Sequence, residues 1–494
     1  MGLLSHRRRS QAFNVYHARR PPLLSNVYRR CIKGLTPICS TLNGRIEGDA
    51  MRNHHGTVGS RFPHRRSTLI ATAVVATVTT LAVSGCAGQG AQQNTENDPN
   101  AKVTLSFWNG FTGPDGPALQ QVVDDFNASQ DRITVETNIM PWDTLYSKVL
   151  TAAAGNDGPD IVAMSAGRIP QYADQGLFQP LDDYYENADF DSDALAQSAV
   201  DASMFDGENY GVPVNIATML MYYNKDLFTA AGLDPEKPPT TWDEFAAMVP
   251  KLTVDDNGDG KPEQYAIALA DHETVPMFQP FLWNAGGGLV SEDGKTSELA
   301  SEGSLEALNF WVDLVKDQKA SPVGLAGADA DKLFTTGKAA IEIVGPWMTT
   351  GFEEAGLNFG LAPAFAGPAD NVTLADVVSM SVPAKADETT KQAAYEFFAY
   401  WNSEEGQKTW AEGSGFPPTR ADVSSQVTSN PYPAIFGDSS VIDNSQTLMP
   451  GIAAGTTIND TIFYPTLQKA LNGEGTVDEL FTAASEQVQA ELDK

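Results

Sequence analysis

The sequence predicts an α/β protein built on a parallel sheet, and three neighbouring segments carry this prediction. Apolar residues alternate with other residues over 103–108, as they do in a strand. Pro117 opens a stretch in which apolar residues recur at helical spacing, and alternation returns over 132–137. A strand, a helix and a strand within so few residues indicate a right-handed parallel crossover.

Later segments continue the pattern, with a helix expected over 143–154 and a strand over 159–164. Further helices are predicted over 304–316, 390–401 and 477–492. No fixed-period repeat and no long linker separates the halves, so two lobes would share strands that cross between them.

Ligands of such sheets bind at the carboxyl ends of the strands. This rule places two segments at one crevice, namely Trp108-Asn109-Gly110 and Ser165 to Arg168. Trp108 is equally compatible with a core position, so Asn109 and Phe111 are the preferred contacts at the end of the first strand.

The N-terminal region has the features of an exported protein. Basic residues precede an apolar stretch over 69–83, which is too short for a confident membrane-spanning helix. The following Val-Ser-Gly-Cys ends at Cys86 and resembles the lipobox of bacterial lipoproteins, in which the cysteine is lipidated. The alternative is an ordinary secretory signal with an incidental cysteine. We therefore expect an N-terminal extension and signal peptide over 1–85 and a lipidated flexible tether over 86–100, with Met51 as an alternative start.

Cleavage before Cys86 fixes the charge and redox properties of the mature chain. It removes Cys31 and Cys39, so no disulfide is possible, and it leaves 19 basic and 61 acidic residues, a net charge of −42. Such a charge excludes binding to nucleic acid or to an anionic membrane face. The mature length is sufficient for two or three domains.

Six motifs occur in an order that carries a family resemblance: Gly158-Pro159-Asp160-Ile161, Tyr210-Gly211-Val212-Pro213, Tyr222-Tyr223-Asn224-Lys225-Asp226, Thr241-Trp242-Asp243-Glu244-Phe245, Phe334-Thr335-Thr336-Gly337-Lys338-Ala339-Ala340 and Gly345-Pro346-Trp347. The chain resembles the extracellular solute-binding proteins of ATP-driven importers, in the sugar-binding group that includes maltose-binding protein. It lacks the charged residues which that protein presents after its first strand, so maltose itself is not implied.

The resemblance implies a periplasmic-binding-protein-like fold of type II, with two α/β lobes joined by a hinge of crossing strands. The expected boundaries are 101–213 with 379–430 for lobe 1, and 214–378 with 431–494 for lobe 2. It also implies a monomer without a cofactor that delivers a neutral oligosaccharide to ABC transporter permease subunits. The lipid anchor would hold it at the extracellular face of the cytoplasmic membrane.

Three ligand contacts follow from aligning the motifs with the family. Trp347 falls on a position that stacks against sugar rings, with packing between lobes as the alternative. Asn215 falls on a polar ligand contact, with a role in the hinge as the alternative. Arg168 matches an arginine that binds hydroxyls, with a surface ion pair as the alternative.

Other candidates are aromatic or planar polar side chains, the types that sugar sites combine. They are Trp142, Trp283, Asn284 and Phe416. Trp242 is instead assigned to structure, because its motif begins a helix in which Thr241 is a cap and Glu244 completes a capping box.

The segment Asp255 to Gly260 partly matches a calcium loop. Asp255, Asn257 and Asp259 occupy positions 1, 3 and 5, but Ala266 stands where the bidentate glutamate belongs. A turn is therefore the preferred interpretation, with weak calcium binding as the alternative.

Two competing functions stay open at this point. One is a lipid-anchored glycan-degrading enzyme, since 61 carboxylates include pairs that can act as acid and base. A Ser-His-Asp triad or a histidine-rich zinc site is disfavoured, because His272 is the only histidine after Cys86. The other is a binding protein for glycerol phosphates, which requires a cluster of cations near the cleft.

Overall fold

The computed structural model describes residues 102–153, 158–272 and 276–494. The signal peptide, Cys86 and the tether lie outside the described residues, so the expectations about them stay predictions. In the three described ranges, no helix is long and apolar enough to cross a membrane.

The described residues form twelve strands: β1 (Val103–Asn109), β2 (Ile133–Ile139), β3 (Ile161–Ser165), β4 (Met204–Phe205), β5 (Glu208–Asn209), β6 (Val212–Thr218), β7 (Leu220–Asn224), β8 (Tyr265–Ala268), β9 (Ala339–Val344), β10 (Phe359–Ala362), β11 (Thr373–Ser381) and β12 (Ser445–Gln446).

Helices surround these strands: α1 (Gly116–Ser129), α2 (Trp142–Ala153), α3 (Ile169–Asp174), α4 (Asp182–Glu186), α5 (Gln197–Asp201), α6 (Lys225–Ala230), α7 (Trp242–Leu252), α8 (Gln279–Asn284), α9 (Glu302–Lys316), α10 (Gly327–Thr335), α11 (Thr349–Glu354), α12 (Glu388–Trp401), α13 (Glu404–Ser414), α14 (Tyr432–Phe436), α15 (Ser439–Ile442), α16 (Gly455–Thr457), α17 (Tyr464–Leu471) and α18 (Val477–Leu492). Short 3-10 helices span Ala166–Arg168, Ala188–Phe190, Ser192–Ala194, Pro346–Met348 and Ser424–Gln426, and a π-helix spans Ile458–Phe463.

The first sheet has the order β12-β11-β3-β1-β2, with β6 paired to β11. Strand β1 is parallel to both β2 and β3, which confirms the predicted parallel crossover. The side chains of Leu105 and Phe107 are buried, and α1 turns Leu119, Val123 and Phe126 toward the same core. Alternation in the strand and helical spacing in the helix therefore produce the two faces that pack together.

The second sheet has the order β10-β7-β9-β8. Helix α7 packs on β8 and begins at Trp242, whose ring stacks on Phe310 and is 5% exposed. The structural assignment of Trp242 is confirmed by its buried position. The capping box is only partly formed, because Thr241 Oγ1 accepts from Glu244 N while the Glu244 carboxylate accepts from Thr240 N.

The chain passes between the two sheets twice. It leaves the first sheet at β6 and continues directly into β7, and it returns from β10 to β11. Strands β6 and β11 pair with each other in an antiparallel ladder, whose register shifts between Val378 and Ser379. The lobe boundaries expected at 213/214 and 378/379 fall within these two strands.

Candidate ligand-binding site

The carboxyl ends of β1 and β3 lie at one edge of the first sheet, because these strands are parallel neighbours. Ser165, the last residue of β3, pairs with Val378 of β11, which in turn pairs with Asn215 of β6. The register therefore places Asn215 in the same row of the sheet as Ser165, from which the chain continues to Arg168.

Asn109 and Asn215 are both fully buried, and each uses its side-chain oxygen locally. Asn109 Oδ1 accepts from Phe111 N at 3.2 Å, and Asn215 Oδ1 accepts from Val378 N at 3.3 Å. The two Nδ2 groups are buried without a hydrogen-bond partner among the described residues. Since buried donors are nearly always satisfied in proteins, these two are suited to a ligand oxygen.

A series of aromatic contacts begins at Trp347, in the 3-10 helix that follows β9. Trp347 stacks on Phe416 with ring centroids 6.1 Å apart, and Phe416 stacks on Trp410 at 5.2 Å. The ring of Trp410 meets the edge of Phe111 at 5.4 Å. Phe416 and Phe111 are buried while Trp347 is half-buried, so Trp347 has the accessible ring of this group.

The series continues from Phe111 to the start of α2. Trp142 lies edge-on to Phe111 at 5.3 Å and stacks on Tyr146, one helical turn further, at 5.9 Å. Gly110 permits this approach, because a Cβ atom there would lie 2.0 Å from the indole of Trp142. The guanidinium of Arg168 then lies 4.1 Å from the centre of the Tyr146 ring.

The polar end of the series is an ion pair. Arg168 Nη1 donates to Asp460 Oδ2 at 2.7 Å, and Nη2 donates to Oδ1 at 3.2 Å. The two side chains are 12% and 21% exposed, so the pair is more enclosed than a surface ion pair. Bidentate geometry and stacking on Tyr146 both suit a planar guanidinium.

A small cavity of about 50 Å³ lies against this ion pair. Its lining includes Tyr146, Ser165, Arg168, Asp376 and Asp460. Burial raises the pKa of Asp376 to about 6, although the hydroxyl of Ser165, 2.7 Å away, and the charge of Arg168 oppose this shift. Ligand pockets are usually larger than about 300 Å³, so a solute requires the cleft to open further.

A second cavity of about 730 Å³ shares the segment 447–450 with the first cavity as part of its lining. Trp283 lines this larger cavity. Met449, within the shared segment, has a backbone φ of 43°, a conformation that is strained for a side chain other than glycine.

Asn284 is held away from this role by its own hydrogen bonds. Its Nδ2 donates to Val372 O at 3.0 Å, and its Oδ1 accepts from Val372 N at 2.5 Å. The oxygen and the nitrogen of this buried amide therefore each make a hydrogen bond to the loop before β11, which gives Asn284 a role in fixing that loop.

The structure thus joins five of the sequence-derived candidates in one continuous series, namely Trp347, Phe416, Phe111, Trp142 and Arg168. Sequence reasoning missed three members: Trp410, Tyr146 and Asp460. Asp460 carries no motif, and it lies 292 positions from its partner Arg168. Tyr146 offered one signal, because it lies one helical turn after Trp142.

The side chains in the segment from Asp255 to Gly260 form hydrogen bonds with the backbone of the same segment. The carboxylate of Asp255 accepts from the backbone N–H groups of Gly258 and Gly260, and Asn257 Oδ1 accepts from Asp259 N. Within the residues that the structure describes, no group of three or more His, Cys, Asp or Glu side chains is arranged to hold a metal ion. These contacts are those of a turn.

Residues 121–437 match the family model of the bacterial extracellular solute-binding proteins, which is more than half of the chain. The chain belongs to this family. It is a solute-binding protein of an ABC transporter, and the prediction from its six motifs is confirmed.

Solved structures of such proteins share its fold. A solute-binding protein from Thermotoga lettingae, bound with α-D-tagatose, is 25% identical and superposes with a TM-score of 0.72 over 79% of this chain and 100% of that one. The GacH receptor of Streptomyces glaucescens, solved in complex with acarbose, is 25% identical with a TM-score of 0.69 over 80% and 99%. The predicted periplasmic-binding-protein-like α/β fold, with sheets flanked by helices, is confirmed.

A relative with a different solute is also similar. The sn-glycerol-3-phosphate-binding periplasmic protein of Brucella melitensis is 26% identical over 331 residues, which cover 64% of this chain and 75% of that protein. Family membership alone therefore leaves the solute open, and the side chains of the site have to decide it.

Proposed function

We propose that this protein captures a neutral sugar outside the cell, most consistently an oligosaccharide, and delivers it to the permease subunits of an ABC importer. The observation that carries the proposal is the continuous series of aromatic rings from Trp347 to Tyr146 that ends at the Arg168–Asp460 ion pair. A pyranose has a flat apolar face that can stack on aromatic rings, and its hydroxyl groups can form hydrogen bonds with planar polar side chains.

The charges of the site favour a neutral solute over a phosphate ester. Among the described side chains that line the small cavity, Arg168 is the only Lys or Arg, and Asp460 already pairs with it. Asp376 adds a second carboxyl group to the same space. A doubly charged phosphate would meet no free cation among these described residues, so we place the glycerol-phosphate alternative second.

We further propose that the protein binds its sugar without turnover. Of the described residues that line the small cavity, Asp376 and Asp460 carry carboxyl groups. Both oxygens of Asp460 accept from Arg168, so this carboxyl group is engaged in the ion pair. Asp376 is then left without a second free carboxyl group of the kind that glycoside hydrolysis uses in pairs. The family and its solved members are substrate-binding proteins, which supports the same conclusion.

Lipidation of Cys86 and a position at the extracellular face of the cytoplasmic membrane complete the proposal. An anchored monomer would stay beside its permease while its cleft opens and closes around the solute.

A thermal-shift screen tests the proposed solute class. The panel should contain α-D-tagatose, maltotriose and acarbose, with glycerol 3-phosphate and sugar phosphates as the charged comparison. A solute at 100 times its Kd stabilises the folded state by about 2.7 kcal/mol, which raises the melting temperature measurably. A shift with a neutral sugar and none with the phosphates supports the proposal, while a shift with phosphates alone would replace it by the glycerol-phosphate alternative.

A further inference from the structure

Asp460 accepts a hydrogen bond from a network of buried polar side chains. Asn459 Nδ2 donates to Asp460 Oδ1 at 2.8 Å, and Gln279 Nε2 donates to Asn459 Oδ1 at 2.6 Å. The hydroxyl of Tyr464 donates to Gln279 Oε1 at 3.3 Å. Gln279 is fully buried and Asn459 is 4% exposed, so the carboxylate of Asp460 rests on fixed polar groups.

The backbone at this point is unusual as well. Asn459 and Asp460 belong to the π-helix Ile458–Phe463, which joins α16 to α17. Such segments are rare and occur frequently at functional sites. The network and the backbone thus mark the same two residues independently.

The ion pair connects a segment beside the first sheet with a segment that packs on the helices of the second sheet. Arg168 follows β3 of the first sheet and stacks on Tyr146 of α2. The π-helix packs on α17 and α18, and Gln279 begins α8. Helix α8 in turn packs through Phe281 on Trp311 of α9, which stacks on Phe245 of α7, the helix that covers β8 of the second sheet.

We propose that Gln279 and Asn459 are positioning residues that hold Asp460 against Arg168, and that this ion pair closes the cleft on a vicinal diol of the sugar. The first part concerns the protein alone, and the mention of a diol rests on the proposed sugar-binding function.

The diol follows from the hydrogen-bonding capacity of the pair. A guanidinium has five N–H donors, and Arg168 directs two of them to Asp460. A carboxylate has about four acceptor positions, and Asp460 uses three on Arg168 and Asn459. The pair therefore offers spare donors beside a spare acceptor, which matches two adjacent hydroxyls, one accepting from Arg168 and the other donating to Asp460.

Double electron–electron resonance, which measures the distance between two spin labels, tests closure of the cleft without any solute. The full chain, with Cys31, Cys39 and Cys86 replaced by Ser, accepts labels at Ile139→Cys in β2 and Val323→Cys near β8. Both native side chains are 40% exposed. We expect one dominant distance in the parent and a longer population in Asp460→Asn, Asn459→Ala and Gln279→Leu.

Controls separate closure from a loss of folding. Thr461→Ala changes an exposed side chain of the same π-helix and should leave the distances as in the parent. Asp460→Asn preserves shape, and Arg168→Lys preserves charge while losing the bidentate contact, so at least one variant stays folded by circular dichroism. Distances in folded Asp460→Asn and Arg168→Lys that equal those of the parent would overturn the proposal.

The diol is tested with the tightest binder among α-D-tagatose, maltotriose and acarbose, together with its monodeoxy analogues. We expect the parent protein to bind the analogue that lacks one hydroxyl of the diol at least tenfold more weakly than the intact sugar. In Asp460→Asn and Asn459→Ala, the difference in affinity between the intact sugar and this analogue should be much smaller. A purely structural network would lower the melting temperature but leave this discrimination intact, which would contradict the positioning role. If none of the three sugars binds, the proposed function and the diol fail together, while the label distances still decide the closure.

Discussion

The indole of Trp347 lies on the phenyl ring of Phe416 with 28° between the ring planes. Trp347 follows β9 of the second sheet, whereas Phe416 follows α13, which packs on α1 beside the first sheet. This stack therefore joins the two sides of the molecule at the start of the aromatic series. It gives Trp347 a packing contact in addition to the ring face proposed for the sugar.

Trp242 offers the contrasting case of a purely structural tryptophan. Its ring is 5% exposed and contacts Phe281, Phe310 and Trp311. Trp242→Ala should lower the free energy of unfolding by about 3 to 5 kcal/mol, because it leaves a cavity in the core. Urea unfolding measures this loss. Sugar affinity of the protein that remains folded should be unchanged, and a selective loss of affinity would place Trp242 in the site instead.

The buried amides of Asn109 and Asn215 should contribute directly to affinity. Replacing either with Ala removes a donor that we assign to a sugar oxygen, and one neutral hydrogen bond contributes about 0.5 to 1.5 kcal/mol, or roughly twofold to tenfold in Kd. Asn284→Ala is the matched control, because its amide is bound to Val372. Calorimetric titration of the three variants should show weaker binding for the first two alone. Equal affinities would assign Asn109 and Asn215 to structure.

Stability should fall as pH rises toward neutrality because of Asp115. Burial, with the nearby charge of Asp331, raises the pKa of Asp115 from 3.8 to about 7, while hydrogen bonds from backbone amides oppose the shift. Between these values the folded state holds a proton that the unfolded state has released, so the stability conferred below pH 3.8 is lost progressively up to about pH 7. Three pKa units correspond to about 4 kcal/mol, which is an upper estimate.

The variant Asp115→Asn tests this assignment, since a neutral amide has no proton to lose. At about pH 3.5 it should unfold near the temperature of the parent, and at pH 5 and pH 8 it should be the more stable protein, by a larger margin at pH 8. Asp331 and Glu342 also have raised pKa values because they are buried, so the variant should reduce the slope without abolishing it. An unchanged slope between pH 5 and pH 8 would show that Asp115 titrates normally.

Cys86→Ser should release the protein from the membrane without unfolding it. Cys86 precedes residue 102, where the described structure begins, and it is proposed to carry only the anchor. Fractionation of cells that express the parent and the variant measures the effect. Retention of the variant on washed membranes would favour an anchor other than the lipid.

Local patterns predicted the elements that build the fold well. Helix α18 has the expected bounds of 477–492, and α1 buries Leu119, Val122, Val123 and Phe126, the apolar residues that recur at helical spacing after Pro117. Strand β3 begins at Ile161 and not at Pro159. Proline has no N–H to donate to a ladder, which explains the shorter strand.

The series of contacts in the candidate site was predictable only where its residues lie in motifs or at strand ends. Arg168, Trp347 and Phe416 were proposed on such patterns, whereas Asp460 was not. The bond from Asp460 to Arg168 depends on how α17 and α18 pack, and this is a tertiary contact that no local spacing encodes. Asn284 shows the reverse case, because a planar amide beside Trp283 has the composition of a sugar site while its hydrogen bonds fix a loop.

The central claim is that a sugar binds on the face of Trp347, and calorimetric titration of the parent and of Trp347→Ala tests it most directly. A fully buried large side chain contributes roughly 2 to 3 kcal/mol, so truncation should weaken binding of the best sugar by about 30-fold to 150-fold. Melting curves without solute should show a smaller loss of stability than in Trp242→Ala, because Trp347 is only half-buried. Unchanged affinity in a folded Trp347→Ala protein would contradict the account.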